Sequence, residues 1–130
     1  MRKNFKQLGF IPGESSPTTY FGSSIPHEVR VENGDWTPYL PVGEKQTGRD
    51  DYMDCTCRSL TTCIETQEKR FTGKEVNYSD RFLAKRSGVT RQGNYLDKVA
   101  ETARKEGLVA QELWNDTWGT WEEQYADPDP

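Results

Sequence analysis

The stretch DCTCRSLTTCIE, residues 54–65, decides the fold of this chain. Asp54 is a typical helix N-cap, and apolar side chains recur after it at helical spacing until Gly73, which can end a helix. Those apolar side chains are Cys57, Leu60, Cys63, Ile64 and Phe71. The pattern predicts a long central helix that begins at Cys55 and packs one side against the interior. Cys57 and Cys63 would be small core residues on or near that side.

Three shorter helices are predicted downstream from their end signals. Each has an apolar side at helical spacing and either a capping residue or a closing glycine. The second is bounded by Ser79 and Gly88, the third runs from about Asn94 to Gly107, and the last opens with the capping box Thr120–Glu123. The aromatic side chains near the end of the chain can either pack internally or form a docking stripe. They are Trp114, Trp118, Trp121 and Tyr125.

The first 50 residues are rich in Gly, Pro, Ser and Thr and show no sustained periodicity. This composition predicts loops that wrap another surface, with a short strand at Val29–Val31 followed by a turn at Asn33–Gly34. We expect residues 1–24 to be an extended or flexible N-terminal arm and residues 25–130 to form one domain.

The composition limits the functions that are open to the chain. It has 130 residues, of which 32% are hydrophobic, a mean hydropathy of −0.96 and a formal net charge of −4. We therefore expect no membrane span, and nucleic acid is a disfavoured partner. The basic residues at 81–105 could contact phosphate, but a solvated helix face is the more common role of such a run. Three closely spaced cysteines and no apolar leader predict a reduced setting without a secretory signal peptide.

Cys55 is the candidate reactive residue. A thiol at a helix N-terminus feels the positive end of the helix dipole, which lowers its pKa and favours the nucleophilic thiolate. A buried, inert cysteine is the commoner outcome for such a residue. A zinc site built from the three cysteines and His27 has the wrong spacing, and no metal or cofactor is expected.

Further signals occur in a fixed order around Cys55. Before it come Ile25-Pro26, Asp35-Trp36, Pro41-Val42 and Gln46; after it come Ser59, Glu65, the run YSDRFL at 78–83 and the run GNY at 93–95 leading to Gly107-Leu108. This order resembles the N-terminal, nucleophile-bearing half of papain-like cysteine peptidases over about residues 25–115. The runs GDWTPYLP and NYSDRFLAKRSG are also similar to segments of papain-like proteins encoded by tailed bacteriophages.

The resemblance implies a fold and a site. The fold would be α+β and mainly helical, a papain-like half-domain with a central helix at the cysteine and an extended N-terminal wrap. Cys55 would stand at the nucleophile position and Gln46 at the oxyanion-donor position. Gly93 and Asn94 would border the substrate groove, where a small residue lets a peptide backbone approach closely.

The sequence departs from that family at several points. Thr56 replaces the usual tryptophan, and Met53 and Asp54 replace a glycine and a serine. Asp54 places a negative charge beside the thiol and opposes thiolate formation. The only histidine is His27, which precedes Cys55, whereas the family takes its base from the second half of its fold.

Two functions are therefore open. The favoured one is a structural or interaction module, associated with a phage particle, that keeps the half-fold without catalysis. The alternative is a thiol peptidase or amidase that uses Cys55, with the missing histidine and asparagine supplied by a C-terminal region or a second chain. The expected partners are that missing half or other virion proteins, and the expected location is the host cytoplasm or the virion.

Overall fold

The structure is a computed structural model, and it describes residues 9–13 and 31–127. Four α-helices dominate the described chain, with three single-turn 3-10 segments at residues 32–34, 37–39 and 111–113. The α-helices are α1 (Cys55–Thr72), α2 (Asp80–Ser87), α3 (Leu96–Glu106) and α4 (Trp121–Tyr125). Helices α1, α2 and α3 pack against one another, and α4 packs on α2. The mainly helical prediction is confirmed.

The predicted ends of the helices agree with the structure at nearly every position. Helix α1 begins at Cys55 and is closed by Gly73, α2 lies between the cap Ser79 and Gly88, and α4 opens with both hydrogen bonds of the Thr120–Glu123 capping box. Helix α3 begins at Leu96 instead of Asn94, because Asn94 and Tyr95 remain extended. Asp54 occupies the N-cap position, but its carboxylate accepts from Arg58 and not from the helix backbone.

A small core lies between α1, α2 and α3. Its buried members are Cys57, Leu83, Ala84, Val89 and Val99. Partly buried side chains surround it, including Met53, Leu60, Ala103 and Tyr125. The core is small because much of the inner side of α1 is polar, with Thr61, Glu65 and Thr66 buried there.

The prediction that Cys63 is a core residue is wrong. Cys63 is exposed, and Phe71, assigned to the same face, is 67% exposed. The side of α1 that turns inward instead follows Cys57, Thr61 and Glu65, spaced four residues apart. It is held there by polar contacts: Thr61 donates to Asp80, and Glu65 accepts from the Tyr78 backbone N–H at 2.8 Å.

Most of the C-terminal aromatic residues pack internally. The rings of Trp114 and Phe82 lie 5.4 Å apart, and those of Trp121 and Tyr125 lie 5.0 Å apart. Trp118 differs, since it is half exposed. For Trp114, Trp121 and Tyr125, internal packing is therefore the correct alternative.

The β component of the predicted fold is minor in the described ranges 9–13 and 31–127, where only isolated bridges occur. Val29 and Arg30 of the predicted strand lie outside these ranges, and Val31 forms a bend. The turn predicted next to it is present: Asn33 has φ 59° and the Gly34 N–H donates to the Val31 carbonyl at 3.0 Å.

Replacing the cap of α2 tests this part of the fold. Ser79 is fully buried; its hydroxyl accepts from the Phe82 N–H at 3.0 Å and donates to the Trp114 carbonyl at 2.6 Å. Ser79→Ala should lower the free energy of unfolding by about 1–3 kcal/mol, because it removes a cap and leaves a buried carbonyl unpaired. Urea denaturation measures the loss, and the exposed Ser59→Ala is the control, with an expected change under about 0.5 kcal/mol.

Candidate functional site

Cys55 is the first residue of α1 and is half-buried. Its carbonyl accepts a hydrogen bond from the Ser59 hydroxyl at 2.7 Å. Its thiol does not have the lowered pKa that a helix N-terminus would favour. Burial is the largest effect and raises the pKa of Cys55, and the neighbouring carboxylate of Asp54 raises it further.

Gln46 and Cys55 lie on the same side of the molecule. Both line an open concavity of about 520 Å³ beside the first turns of α1. Its other lining residues are Glu44, Arg58, Ser59 and Thr62. The Gln46 side-chain amide donates to the Asp51 carboxylate at 3.1 Å, and the same carboxylate oxygen accepts from the Met53 N–H at 2.9 Å. The amide predicted to be an oxyanion donor is therefore engaged by Asp51.

Gly93 and Asn94 contact the N-terminal segment of the same chain. The Asn94 N–H donates to the Gly9 carbonyl, and the Ile11 N–H donates to the Asn94 carbonyl, both at 2.9 Å. These bonds form a parallel bridge between Phe10 and Asn94. The side chain of Asn94 is buried and donates to Ser87 at the end of α2, so the turn that carries this backbone is anchored in the fold.

Gly9 links the two halves of the predicted site. It is buried, and a methyl group added to it would lie 3.1 Å from the Cys55 sulfur and 2.9 Å from the Met53 carbonyl. Cys55 and the Gly93–Asn94 turn thus lie on either side of one short peptide segment. Sequence reasoning missed this contact, because the run GFIPG at 9–13 suggests only a loop.

A buried charge cluster adjoins the site and was also missed. The guanidinium of Arg58 lies 3.0 Å from Asp54, 3.2 Å from Asp80 and 3.4 Å from Asp116, and it also reaches Glu44 at 3.4 Å. Side-chain amides complete the cluster, since Gln111 and Gln124 both donate to Asp116. Of these contacts only Asp54–Arg58, four residues apart on one helix, is readable from the sequence.

One guanidinium faces more carboxylates than it can neutralise. Burial raises the pKa of Asp54 to about 6 and the pKa of Asp80 to about 7, although the positive charge of Arg58 opposes both shifts. The same carboxylates raise the pKa of Arg58, which is charged throughout. One Asp54 oxygen is buried without a hydrogen-bond partner.

The described residues hold no group of three or more His, Cys, Asp or Glu side chains arranged to bind a metal ion. The three cysteines occupy different surroundings: Cys55 is half-buried, Cys57 is buried and Cys63 is exposed. His27, Ile25 and Pro26 lie outside the described residues. Within residues 9–13 and 31–127, no helix has the length and apolar character needed to cross a bilayer.

Comparison of the chain with protein-family models, with curated proteins and with solved structures found no match. The papain-like resemblance therefore stays a prediction, based on the order of its motifs and on the residues that meet around Cys55.

The buried carboxylates predict an unusual dependence of stability on pH. The pKa values of about 6 for Asp54 and about 7 for Asp80 lie above the value of about 3.9 for an unfolded aspartate. The folded state then binds more protons than the unfolded state between about pH 4 and 7, so the free energy of unfolding should fall as the pH rises through this range. The expected fall is on the order of a few kcal/mol.

Urea denaturation at pH 5 and pH 8 measures this effect. Asp80→Asn should reduce the difference between the two pH values, while Asp97→Asn, which removes an exposed carboxyl from the first turn of α3, should preserve it. Stability that rises from pH 5 to pH 8 would contradict the assigned burial of the carboxylates.

Removing the cation gives a second test of the cluster. Arg58→Met should lower the free energy of unfolding by about 3–5 kcal/mol at pH 8, because it leaves buried carboxylates uncompensated. The loss should be smaller at pH 5, where Asp54 and Asp80 bind protons. Arg104→Met, which removes an exposed ion pair with Glu101, is the matched control and should cost at most about 1 kcal/mol at either pH.

Proposed function

We propose that this chain is a non-catalytic interaction module, built on the nucleophile-bearing half of a papain-like fold and associated with a tailed-phage particle. The observation that carries the loss of catalysis is the state of Cys55. Burial of the thiol and the neighbouring carboxylate of Asp54 both raise its pKa and so disfavour the thiolate. A protonated thiol is a poor nucleophile.

The lack of a suitable base supports the same conclusion. A cysteine nucleophile of this type needs an imidazole within hydrogen-bond reach. The part of the chain that the structure describes contains no histidine, and the one histidine of the sequence, His27, precedes Cys55. A base for Cys55 would have to come from His27, from a C-terminal region or from a second chain.

The residue two positions before Cys55 departs from the resemblance but has a backbone conformation suited to glycine. Met53 stands where the resemblance expects a glycine, and its φ of 56° lies in the left-handed region that glycine adopts most readily. A residue other than glycine adopts this conformation at a cost in conformational energy.

A thiol hydrolase is the second candidate, favoured by one specific observation. Cys55 shares its concavity with Gln46 and Ser59, the residues that the resemblance places around a nucleophile. In this alternative a C-terminal region or a second chain supplies the imidazole and ionises the thiol, and the Gln46 amide releases Asp51 to bind the oxyanion.

Titration of Cys55 tests whether this chain activates its own thiol. The rate of iodoacetamide alkylation at Cys55, followed against pH by peptide mass spectrometry, should give a midpoint above the usual thiol pKa of about 8.5. Asp54→Asn should lower that midpoint because it removes the adjacent negative charge. Asp97→Asn changes a distant exposed carboxyl and serves as the control.

A midpoint near 7 or below in the wild-type chain would refute the non-catalytic proposal. So would cleavage of a peptide or amide substrate that Cys55→Ser abolishes. Because the control variant keeps Cys55 and Asp54, a change in its midpoint would instead indicate a general effect of charge on alkylation.

A further inference from the structure

A small cavity lies between the loop at residues 40–44 and helix α1, and it is named here the loop–α1 cavity. Its volume is about 180 Å³, and Asp80 at the start of α2 also lines it. It adjoins the concavity beside Cys55, but Glu65 and Asp80 line the loop–α1 cavity and not that concavity. A cavity of about 150 Å³ can hold one benzene molecule, so this space suits a ligand of about six non-hydrogen atoms.

The carboxyl group of Glu65 has an unpartnered oxygen in this cavity. Glu65 is only 7% exposed. Its Oε1 accepts from the Tyr78 N–H at 2.8 Å, whereas its Oε2 has no hydrogen-bond partner among the described residues. Oε2 is not sealed from solvent, so it opens to the cavity that Glu65 lines. A carboxylate that is largely removed from water is stabilised when a hydrogen-bond donor or a cation occupies the space in front of it.

The cations near Glu65 are already paired. Arg58 lines the cavity, but its guanidinium contacts the four carboxylates of the buried cluster. Lys69, one turn further along α1, pairs with Glu75 at 3.5 Å. Burial raises the pKa of Glu65, and three neighbouring glutamates raise it further, against the opposing effect of the Tyr78 N–H. The cavity therefore carries an excess of negative charge that a bound cation would offset.

The walls of the cavity favour an alkyl cation over a metal ion. Within residues 9–13 and 31–127, no group of three or more carboxylates, thiols or imidazoles is arranged to bind a metal. Leu40 and Val42 line the cavity and are 47% and 78% exposed, so they offer a hydrocarbon chain an apolar surface to cover. A primary ammonium on a short chain meets both conditions, because it donates three hydrogen bonds from one compact charge and its methylene groups pack on apolar surface.

We infer that the loop–α1 cavity binds a primary alkylammonium group, with its charge against Glu65 and its chain against Leu40 and Val42. The inference goes beyond the proposed function, because it uses no property of Cys55. Two sources supply this chemistry: a free alkylamine, and the side chain of a lysine on a partner protein. Both present the same group to Glu65, and they differ in the backbone that a lysine carries.

Butylamine, which is protonated at neutral pH, is a probe of suitable size. Added to the ¹⁵N-labelled full-length chain, it should shift the amide resonances of Tyr78, which donates to Glu65, and of Val42 in the loop wall. The shifts should saturate with a dissociation constant on the order of 1 mM, as expected for so small a ligand. Butan-1-ol has the same size without the charge and should bind at least about tenfold more weakly.

A pair of glutamine variants tests the role of Glu65. Glu65→Gln removes the charge and keeps an acceptor for the Tyr78 N–H, so the variant should fold and should bind butylamine about tenfold or more weakly than the wild-type chain does. Glu68→Gln is the matched control, because Glu68 lies on the same helix and contacts the Tyr78 hydroxyl but does not line the cavity. Its affinity should stay within about threefold of the wild-type value, since a more distant charge is screened.

A lysine derivative separates the two sources. Nα-acetyl-lysine N-methylamide places the same ammonium on a peptide backbone. Binding within about tenfold of that of butylamine assigns the site to a lysine side chain of a partner protein. Weaker binding than this, with butylamine still bound, assigns the site to a free amine, because the loop then excludes a peptide backbone.

Equal affinity for butylamine and butan-1-ol would overturn the inference. So would equal affinity of the wild-type and Glu65→Gln chains for butylamine. Shifts that grow without saturation, or that appear to the same extent beside the exposed carboxyl of Asp97, would reveal only a loose attraction to negative surface and would overturn it as well.

Discussion

Arg58 joins four segments of the chain through one buried guanidinium. From the first turns of α1 it reaches Asp54 before the helix, Asp80 at the start of α2, Asp116 before α4 and Glu44 in the loop that precedes α1. Among the described residues the apolar core cluster has only five buried members, so this polar cluster contributes strongly to holding the segments in one arrangement. Breaking it leaves buried carboxylates without a counter-charge, which is far more costly than losing an exposed ion pair.

The same cluster determines the chemistry at Cys55. Asp54 is needed to bind Arg58, and its position beside the thiol follows from that pairing. Its carboxylate raises the pKa of Cys55 in addition to the effect of burial, so the residue that pairs with Arg58 also disfavours the thiolate. A carboxylate at position 54 disfavours the thiolate that a catalytic cysteine needs, whereas the ion cluster uses that carboxylate to pair with Arg58. The proposed non-catalytic role is consistent with a carboxylate at this position.

Helix ends were predictable because their causes are local. Ser79, Gly88 and the Thr120–Glu123 pair act on backbone groups within a few residues of themselves, and the structure places them as expected. The face of α1 was predicted less well. Apolar spacing assigned Cys63 and Phe71 to the interior, whereas Thr61 and Glu65 turn inward because Asp80 and the Tyr78 backbone offer them hydrogen bonds there. A periodicity that counts apolar residues does not register a buried face built from polar pairs.

By itself, the sequence determined where α1 and α2 begin and end, where α3 ends and where α4 begins, that Cys55 heads the longest helix, and that an acidic residue precedes it. The tertiary structure alone decided that Arg58 gathers carboxylates from positions as distant as 44 and 116, and that Gly9 lies between Cys55 and Gly93. The physical reason is the range of the interactions. Capping and helical periodicity act within one or two turns of chain, whereas a buried ion cluster and a close backbone approach exist only once distant segments have packed together and excluded water.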